Sequence, residues 1–505
     1  MESGKQLFSN TYYLLTRWVI MIISSFLFWI IIGKLLNPTQ YGIISTSMNF
    51  IAVLSGIVML GFPQALIKLI SENKMNIKKH FLFSIKIILL FNVAIILVLF
   101  LFEDFVITTF KFNLYILLLI VIGMLLQSMA ITFTSIIVGL QDMKRLLTSD
   151  VVSQTFRIAL SIILIFLIPT SFNAEFKYFG PLIGFIVYFL LLFILRFDFE
   201  ALRTKKIKLK KKQLFKYSFP AFLTYISWLI FSNTQYIVLT AFKNPEITGK
   251  FSVAMLLVTP VPDIIKTIST SLFPIISKLS KTKSSKKPNH LLTLSFKYSL
   301  FLTIPFVLLL ISFSKIGVLI FATEQFLEAA NFLPILAIGA IFLGIASLFI
   351  DSLYATDHPK ISTKITSLLS ILFLAFSLVL TYLYSALGIS YAYLISSIFS
   401  FFISFIFIKK YFGFKIPIKH ILKIILSSLF VFLFLYILAP LIQSIIFAIF
   451  LLIPSAIIYL FSLYFLNFYS REDLTLIKYI SEKLPPPLTN ILNMATRFLE
   501  KKVKH

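Results

Sequence analysis

Long hydrophobic runs alternate with short polar gaps along the whole chain. Fourteen runs fall at roughly 11–33, 42–69, 83–102, 114–139, 148–169, 179–195, 217–242, 250–275, 292–313, 331–355, 364–384, 389–408, 422–439 and 443–466. Each approaches or exceeds the ~20 apolar residues that cross ~30 Å of hydrocarbon. The pattern predicts an all-α integral membrane protein of about 14 transmembrane helices. The first run is too long for a cleaved signal and lacks a small-residue cleavage site, so it reads as a retained span.

The charges orient these helices. Of 46 basic residues, taking those at the very start of a run with the adjoining gap, 34 lie in the N-terminus, every second gap and the C-terminal tail; six lie in the other gaps and six inside the runs. By the positive-inside rule both termini are cytoplasmic and the span number is even, in a multi-pass protein of the cytoplasmic membrane. The net charge of +27 sits beside hydrophobic spans, so anionic lipid headgroups fit as its partner and nucleic acid does not.

Composition narrows the chemistry. The chain is 59% hydrophobic and 13% charged, far from a soluble protein of this length. It has no cysteine, which excludes thiol catalysis and cysteine-ligated metal. All five histidines fall in gaps or the tail. No cofactor or metal site is expected. The gaps are too short for a soluble catalytic domain. After Pro485-Pro486-Pro487, Leu488, Ile491, Leu492, Ala495, Phe498, Leu499 and Val503 recur at helical spacing, which predicts a surface helix in the cytoplasmic tail.

A short repeat organises the whole. Asn37-Pro38 with Gly42 follows the first run, and Asn244-Pro245 with Gly249 follows the seventh, at an offset of 207 residues. Asn-Pro starts a turn and Gly tolerates the backbone where the next helix begins. A six-span offset with shared orientation predicts a parallel repeat, with substrate bound between the halves. The expected domains are a six-helix lobe at 1–195, a basic cytoplasmic linker at 196–216 and a second six-helix lobe at 217–408. Two extra helices at 409–466 and the tail at 467–505 follow.

Charges inside the runs are the candidate chemistry, because each costs about 2.5–3.5 kcal/mol to insert at mid-membrane. Lys68, Lys86 and Lys297 lie near cytoplasmic ends, where snorkelling accounts for them. Arg17, Arg157 and Lys266 all map to the inner half of the bilayer; for Arg17, near the start of its run, snorkelling is the alternative to facing a cavity. Three cations there suit an anionic headgroup, with Arg able to grip a phosphate bidentately. Gln154 and Asp150 share the helix face of Arg157, so a structural contact within that helix is the alternative. Asp263, three residues before Lys266, is positioned to neutralise it, and Pro260 and Pro262 break the ladder nearby. Asn233 and Gln235 add uncharged donors.

Four segments carry a family resemblance: Leu35-Leu36-Asn37-Pro38-Thr39-Gln40-Tyr41-Gly42, Lys216-Tyr217-Ser218-Phe219-Pro220, Phe321 through Ala330, and Leu353 through Lys360. With them the chain resembles Wzx-type oligosaccharide flippases, polysaccharide biosynthesis proteins of the superfamily that also holds lipid II flippases and multidrug (MATE) exporters. Ala322 stands where that family usually has Gly, and Ser367-Leu368-Leu369-Ser370 where it often has Asn. The resemblance implies two six-helix lobes in a MATE-like V and alternating access. It also implies a polyprenyl phosphate- or pyrophosphate-linked oligosaccharide as cargo, and a cation at the position of Arg17. A Na⁺ or H⁺ gradient is open as the energy source, and contact with glycan polymerase or transferase machinery is open as a partnership. A cation-coupled multidrug exporter is one alternative. A multi-span polyprenyl-sugar glycosyltransferase or polymerase is the other, weakened because Glu103-Asp104 is the only adjacent acidic pair in an external gap. The expectation is a transporter, not an enzyme.

Overall fold

The computed structural model describes residues 2–72, 77–167, 177–196, 211–280, 286–356, 358–438 and 450–481, with isolated residues 447, 489 and 496. Among these, every regular element is a helix. In chain order they are α1 (Glu2–Leu35), α2 (Pro38–Met59), α3 (Phe62–Ser71), α4 (Ile77–Leu101), α5 (Glu103–Phe110), α6 (Leu114–Gly139), α7 (Met143–Leu167), α8 (Phe179–Arg196) and α9 (Lys211–Phe242). Then follow α10 (Pro245–Val258), α11 (Pro260–Ser280), α12 (Lys286–Ser312), α13 (Ser314–Phe321), α14 (Ala329–Ala355), α15 (Pro359–Phe412), α16 (Ile418–Leu438), α17 (Leu452–Phe465) and α18 (Arg471–Ser481). The expected tail helix at 488–503, and most of the 196–216 linker, lie outside the described residues.

Twelve helices among the described residues are long and apolar enough to cross a membrane, where fourteen runs were expected. Two runs share α15, whose 54 residues hold a break at Ser385 (φ 59°, ψ −135°). The last run is described as helix over Leu452–Phe465 only. A further break falls inside the run at 42–69. There Leu60 and Gly61 both adopt the left-handed conformation (φ 48° and 72°) and separate α2 from α3. A Cβ at Gly61 would lie 2.3 Å from the Ser218 carbonyl oxygen, so only glycine admits this approach of the turn to α9. Two residues on, Pro220 sits inside α9 without an N–H to donate.

The chain clusters into two compact units: residues 1–258, 317–339 and 358–403 form one, and 259–316, 340–357 and 404–505 the other. In the first, α2 is central, with 67% of its span buried, whereas α4 has 22%. The sequence follows: the span of α4 has a mean hydropathy of 2.7 against 1.7 for α2, and α2 carries buried Ser45, Thr46, Ser47 and Ser55. Between α2, α3, α4 and α6 lies a core of Val58, Phe62, Leu66, Phe81, Met124 and Phe133.

The Asn-Pro turns are helix starts. Asn37 accepts from the Gln40 amide (2.9 Å) while the Gln40 side chain accepts from the Asn37 amide (3.3 Å), a reciprocal cap that closes the first turn of α2. Asn244 likewise accepts from the Ile247 amide at 2.9 Å. The two helices then meet at their glycines. A Cβ on Gly42 would lie 1.7 Å from the Pro245 carbonyl oxygen, and one on Gly249 would lie 2.0 Å from that of Pro38. The contact is reciprocal, as an approximate two-fold relating the two segments requires. Thr46, Thr240 and Thr248 chain their hydroxyls beside it at 2.6 and 2.8 Å.

In the second unit, α12 packs against α11 and α16, and α16 against α17. Phe296 stacks on Phe349 at 5.9 Å and Phe414 closes the group.

Candidate functional site

Asp150, Gln154 and Arg157 recur at helical spacing on α7, and all three are buried. Arg157 is only 6% exposed. Its guanidinium lies over the Phe28 ring at 3.8 Å and within 5.4 Å of Phe185. Among the described residues its guanidinium makes one hydrogen bond, to Gln154 Oε1 and long at 3.4 Å, and its Nε has no partner there. Among the described residues no carboxylate pairs with it. The aromatic faces offset part of the cost of a desolvated cation but do not neutralise it.

Asp150 does not serve Arg157. Its Oδ2 accepts from Arg17 Nε on α1, and its Oδ1 takes Arg196 Nη2 at 2.7 Å and the Tyr188 hydroxyl at 3.4 Å. Arg196 closes α8 and is itself fixed, donating from Nε to Ser149 (2.9 Å) and from Nη1 to Thr134 (2.5 Å). The helices α1, α7 and α8 therefore bring two arginines, Arg17 and Arg196, to one carboxylate, with Arg157 on the same helix face as that carboxylate, all within the first unit. Arg17 keeps 32% of its side chain accessible, and among the described residues Asp150 is its only polar partner. Sequence reasoning missed Arg196 and Tyr188. Arg196 reads as the first residue of a basic linker, yet it is 3% exposed.

Lys266 lies on α11 in the second unit. Its expected partner Asp263 is replaced: Lys266 Nζ binds both oxygens of Asp351 on α14, at 2.9 and 2.7 Å, and Ser269 donates to the same carboxylate at 2.8 Å. Among the described residues Asp263 makes no ion pair; its backbone carbonyl accepts from Thr267. An acid on a facing helix can offer both oxygens to the ammonium, which a neighbour three residues back along the same helix does not do here.

Asn233 and Gln235 on α9 spend their donors on their own helix. Asn233 donates to the Leu229 carbonyl (3.1 Å) and to Ser232 (2.8 Å), and Gln235 to the Ser232 carbonyl (3.3 Å). Lys86 is exposed, and Lys68 covers the Tyr217 ring at 3.9 Å. Lys297 departs from the snorkelling expectation. It is 5% exposed and pairs with Asp473 at 2.6 Å. Among the described residues no cluster of three His, Asp or Glu could hold a metal.

A family model described as polysaccharide biosynthesis protein matches residues 7–280, more than half of the chain and all of the charged residues above except Lys297, Asp351 and Asp473. The chain belongs to that family. It is 26% identical over 388 residues to an uncharacterized membrane protein, MJ1068, of Methanocaldococcus jannaschii, a match covering 72% of this chain and 76% of the other. Its fold matches that of the lipid II flippase MurJ in an inward closed conformation, at TM-score 0.67 and 19% identity, covering 90% of this chain and 98% of that one. An inward-facing MATE family multidrug resistance transporter of the MOP superfamily follows at TM-score 0.60 and 13% identity, covering 77% and 94%. This chain and these two transporters thus share one helical membrane fold, which is the fold expected from the sequence, and the chain is a multi-pass membrane protein.

Proposed function

We propose that this chain is a flippase that carries a lipid-linked oligosaccharide, joined to its polyprenyl carrier by phosphate or pyrophosphate, across the cytoplasmic membrane by alternating access. The observation that carries the reading is Arg157, a buried guanidinium with no carboxylate. A protein that retains an uncompensated charge at this depth gains from it when an anion arrives. Arg17 in the first unit and Lys266 in the second are proposed as accessory cations for the headgroup, each held by its own acid, Asp150 or Asp351. Family membership and a fold shared with a lipid II flippase support a lipid-borne cargo.

In this reading the lobes are 1–195 and 217–408, joined by the basic linker at 196–216, and both termini are cytoplasmic, as the basic gaps favour. The helices at 409–466 cradle the polyprenyl chain, a role suited to α16, which leaves Leu422, Leu426, Phe430 and Tyr436 exposed. The protein does no covalent chemistry on its cargo; a Na⁺ or H⁺ gradient is its proposed energy source, and glycan polymerase or transferase machinery its neighbour.

The test is translocation of a fluorescent polyprenyl-diphosphate-linked disaccharide in proteoliposomes holding purified protein. Arg157→Ala should abolish it and Arg157→Lys, which keeps charge without the planar fork, should leave part of it. Full transport by Arg157→Ala, Arg17→Ala and Lys266→Ala alike would overturn the headgroup site. Transport of organic cations in place of the lipid would move the chain among the multidrug exporters.

A further inference from the structure

The arrangement of Asp150 has a use beyond structure. We propose that Asp150 is a returning counter-ion: it yields Arg17 to the phosphate of the cargo headgroup and reclaims it as the phosphate leaves. This rests on the headgroup reading above.

The two oxygens of Asp150 have separate duties. Oδ1 faces Arg196 and Tyr188, and Oδ2 faces Arg17. Arg196 cannot follow a ligand, because Ser149 and Thr134 hold two of its nitrogens and it is buried. Arg17 can, because a third of its side chain is accessible and Asp150 is its only polar partner among the described residues. When Arg17 turns away, Asp150 keeps a buried cation at 2.7 Å. No bare buried carboxylate results, so the heavy penalty for breaking a buried pair is avoided. Arg17 exchanges one charge-assisted hydrogen bond for another, at nearly level free energy.

A carrier needs such a device. Two arginines gripping a pyrophosphate with no competing acid would slow its release. Arg157, with no acid of its own, supplies standing attraction. Arg17, with an acid waiting, supplies attraction that is withdrawn when the phosphate moves off. Binding and release are thereby divided between two arginines on different helices.

The experiment uses the full chain in lipid nanodiscs, with inorganic pyrophosphate as the binding probe and the proteoliposome assay for turnover. Asp150→Asn should bind pyrophosphate about tenfold more tightly and turn over several-fold more slowly at saturating substrate. Asp150→Glu, which keeps the competing charge, should stay near wild type in both. Adding Arg17→Ala to Asp150→Asn should erase the tightening. A structural role alone predicts weaker binding, so unchanged or weaker binding by Asp150→Asn overturns the inference. Should Asp150→Asn fail to fold because Arg196 is left bare, Asp150→Asn with Arg196→Met removes both buried charges and carries the same expectation. Arg157→Ala separates the two readings. Pyrophosphate binding that survives Arg157→Ala removes the headgroup site itself. Binding weakened by Arg157→Ala but not tightened by Asp150→Asn removes the counter-ion alone. Vesicles containing a polyprenyl diphosphate should compete with pyrophosphate; equal competition by phosphatidylglycerol vesicles would assign the site to bulk lipid and overturn the inference.

Discussion

Arg157 and Lys297 are both buried to about the same degree, at 6% and 5% exposed, yet they live in opposite electrostatic settings. Lys297, in the second unit, has everything a buried cation needs. Asp473 Oδ2 lies at 2.6 Å and Phe468 offers its face at 4.5 Å. The carboxylate is in turn held by the Tyr298 hydroxyl and by the amide and hydroxyl of Ser470 at 2.7 and 2.8 Å. Arg157, in the first unit, has ring faces and one long bond. A balanced site ties the start of α18 to α12. On the function proposed above, the unbalanced one attracts an anion that is not part of the chain. In that reading burial alone does not mark a functional charge, and burial without a counter-charge does.

Breaking the balanced site should have the largest effect. Lys297→Met strands the Asp473 carboxylate and should destabilise the protein by about 3–5 kcal/mol, read as a lowered unfolding midpoint in detergent. Lys297→Met with Asp473→Leu should recover most of the loss; no recovery would mean the pair matters for its position and not its charge. Arg157→Met should do the reverse. It removes a charge that nothing neutralises, so stability should change by less than about 1 kcal/mol in either direction while pyrophosphate binding and transport are lost. A collapse of stability in Arg157→Met would make the two sites alike and undo the comparison.

Acid should discriminate between them next. Burial pushes the Asp473 carboxyl up, but hydrogen bonds from Lys297, Tyr298 and Ser470 and the charge of Lys297 outweigh it and hold the group below its ordinary value. A carboxyl depressed by folding contributes its full stability above the ordinary value of about 3.9 and loses it as pH falls through the lower folded value. Thermal unfolding of wild type and Asp473→Asn should therefore differ at neutral pH and converge below about pH 4. Parallel curves throughout would show that Asp473 does not carry the difference. The smallest effect belongs to Gln154→Leu. Its bond to Arg157 is 3.4 Å long, so about 0.5–1 kcal/mol of stability is the most it should cost.

What the sequence made legible follows from the range of the physics involved. Hydrophobic runs and charge asymmetry are local, and the helices α4, α6, α7, α8 and α12 lie where the runs put them. The Asn-Pro turns are local too, and both cap helices. Arg157 stood out because an arginine in an apolar run needs no neighbour to be conspicuous. Partners were not legible. Arg17 and Asp150 are 133 residues apart, Lys266 and Asp351 are 85, and Lys297 and Asp473 are 176. Helical spacing reveals only pairs on one helix, so it offered Asp263 to Lys266 and the structure supplies Asp351. Arg196 was hidden by its position, since a cation at the end of a span looks the same whether it turns toward water or back into the protein. The break at Ser385 left no proline or glycine at that residue to announce it.

The meeting of α2 and α10 carries a further consequence. Each glycine abuts the carbonyl of the proline that begins the opposite helix, so the surface that is offered is also the surface received. That is the property of an isologous joint, in which two identical copies can dock without either being specialised for the other. Both segments carry the same three elements at the same spacing: a capping asparagine, a proline, and a glycine four residues after the proline. A joint of this kind can be encoded once and used twice. One local sequence pattern therefore serves both sides of the contact, and neither helix start needs a feature that the other lacks.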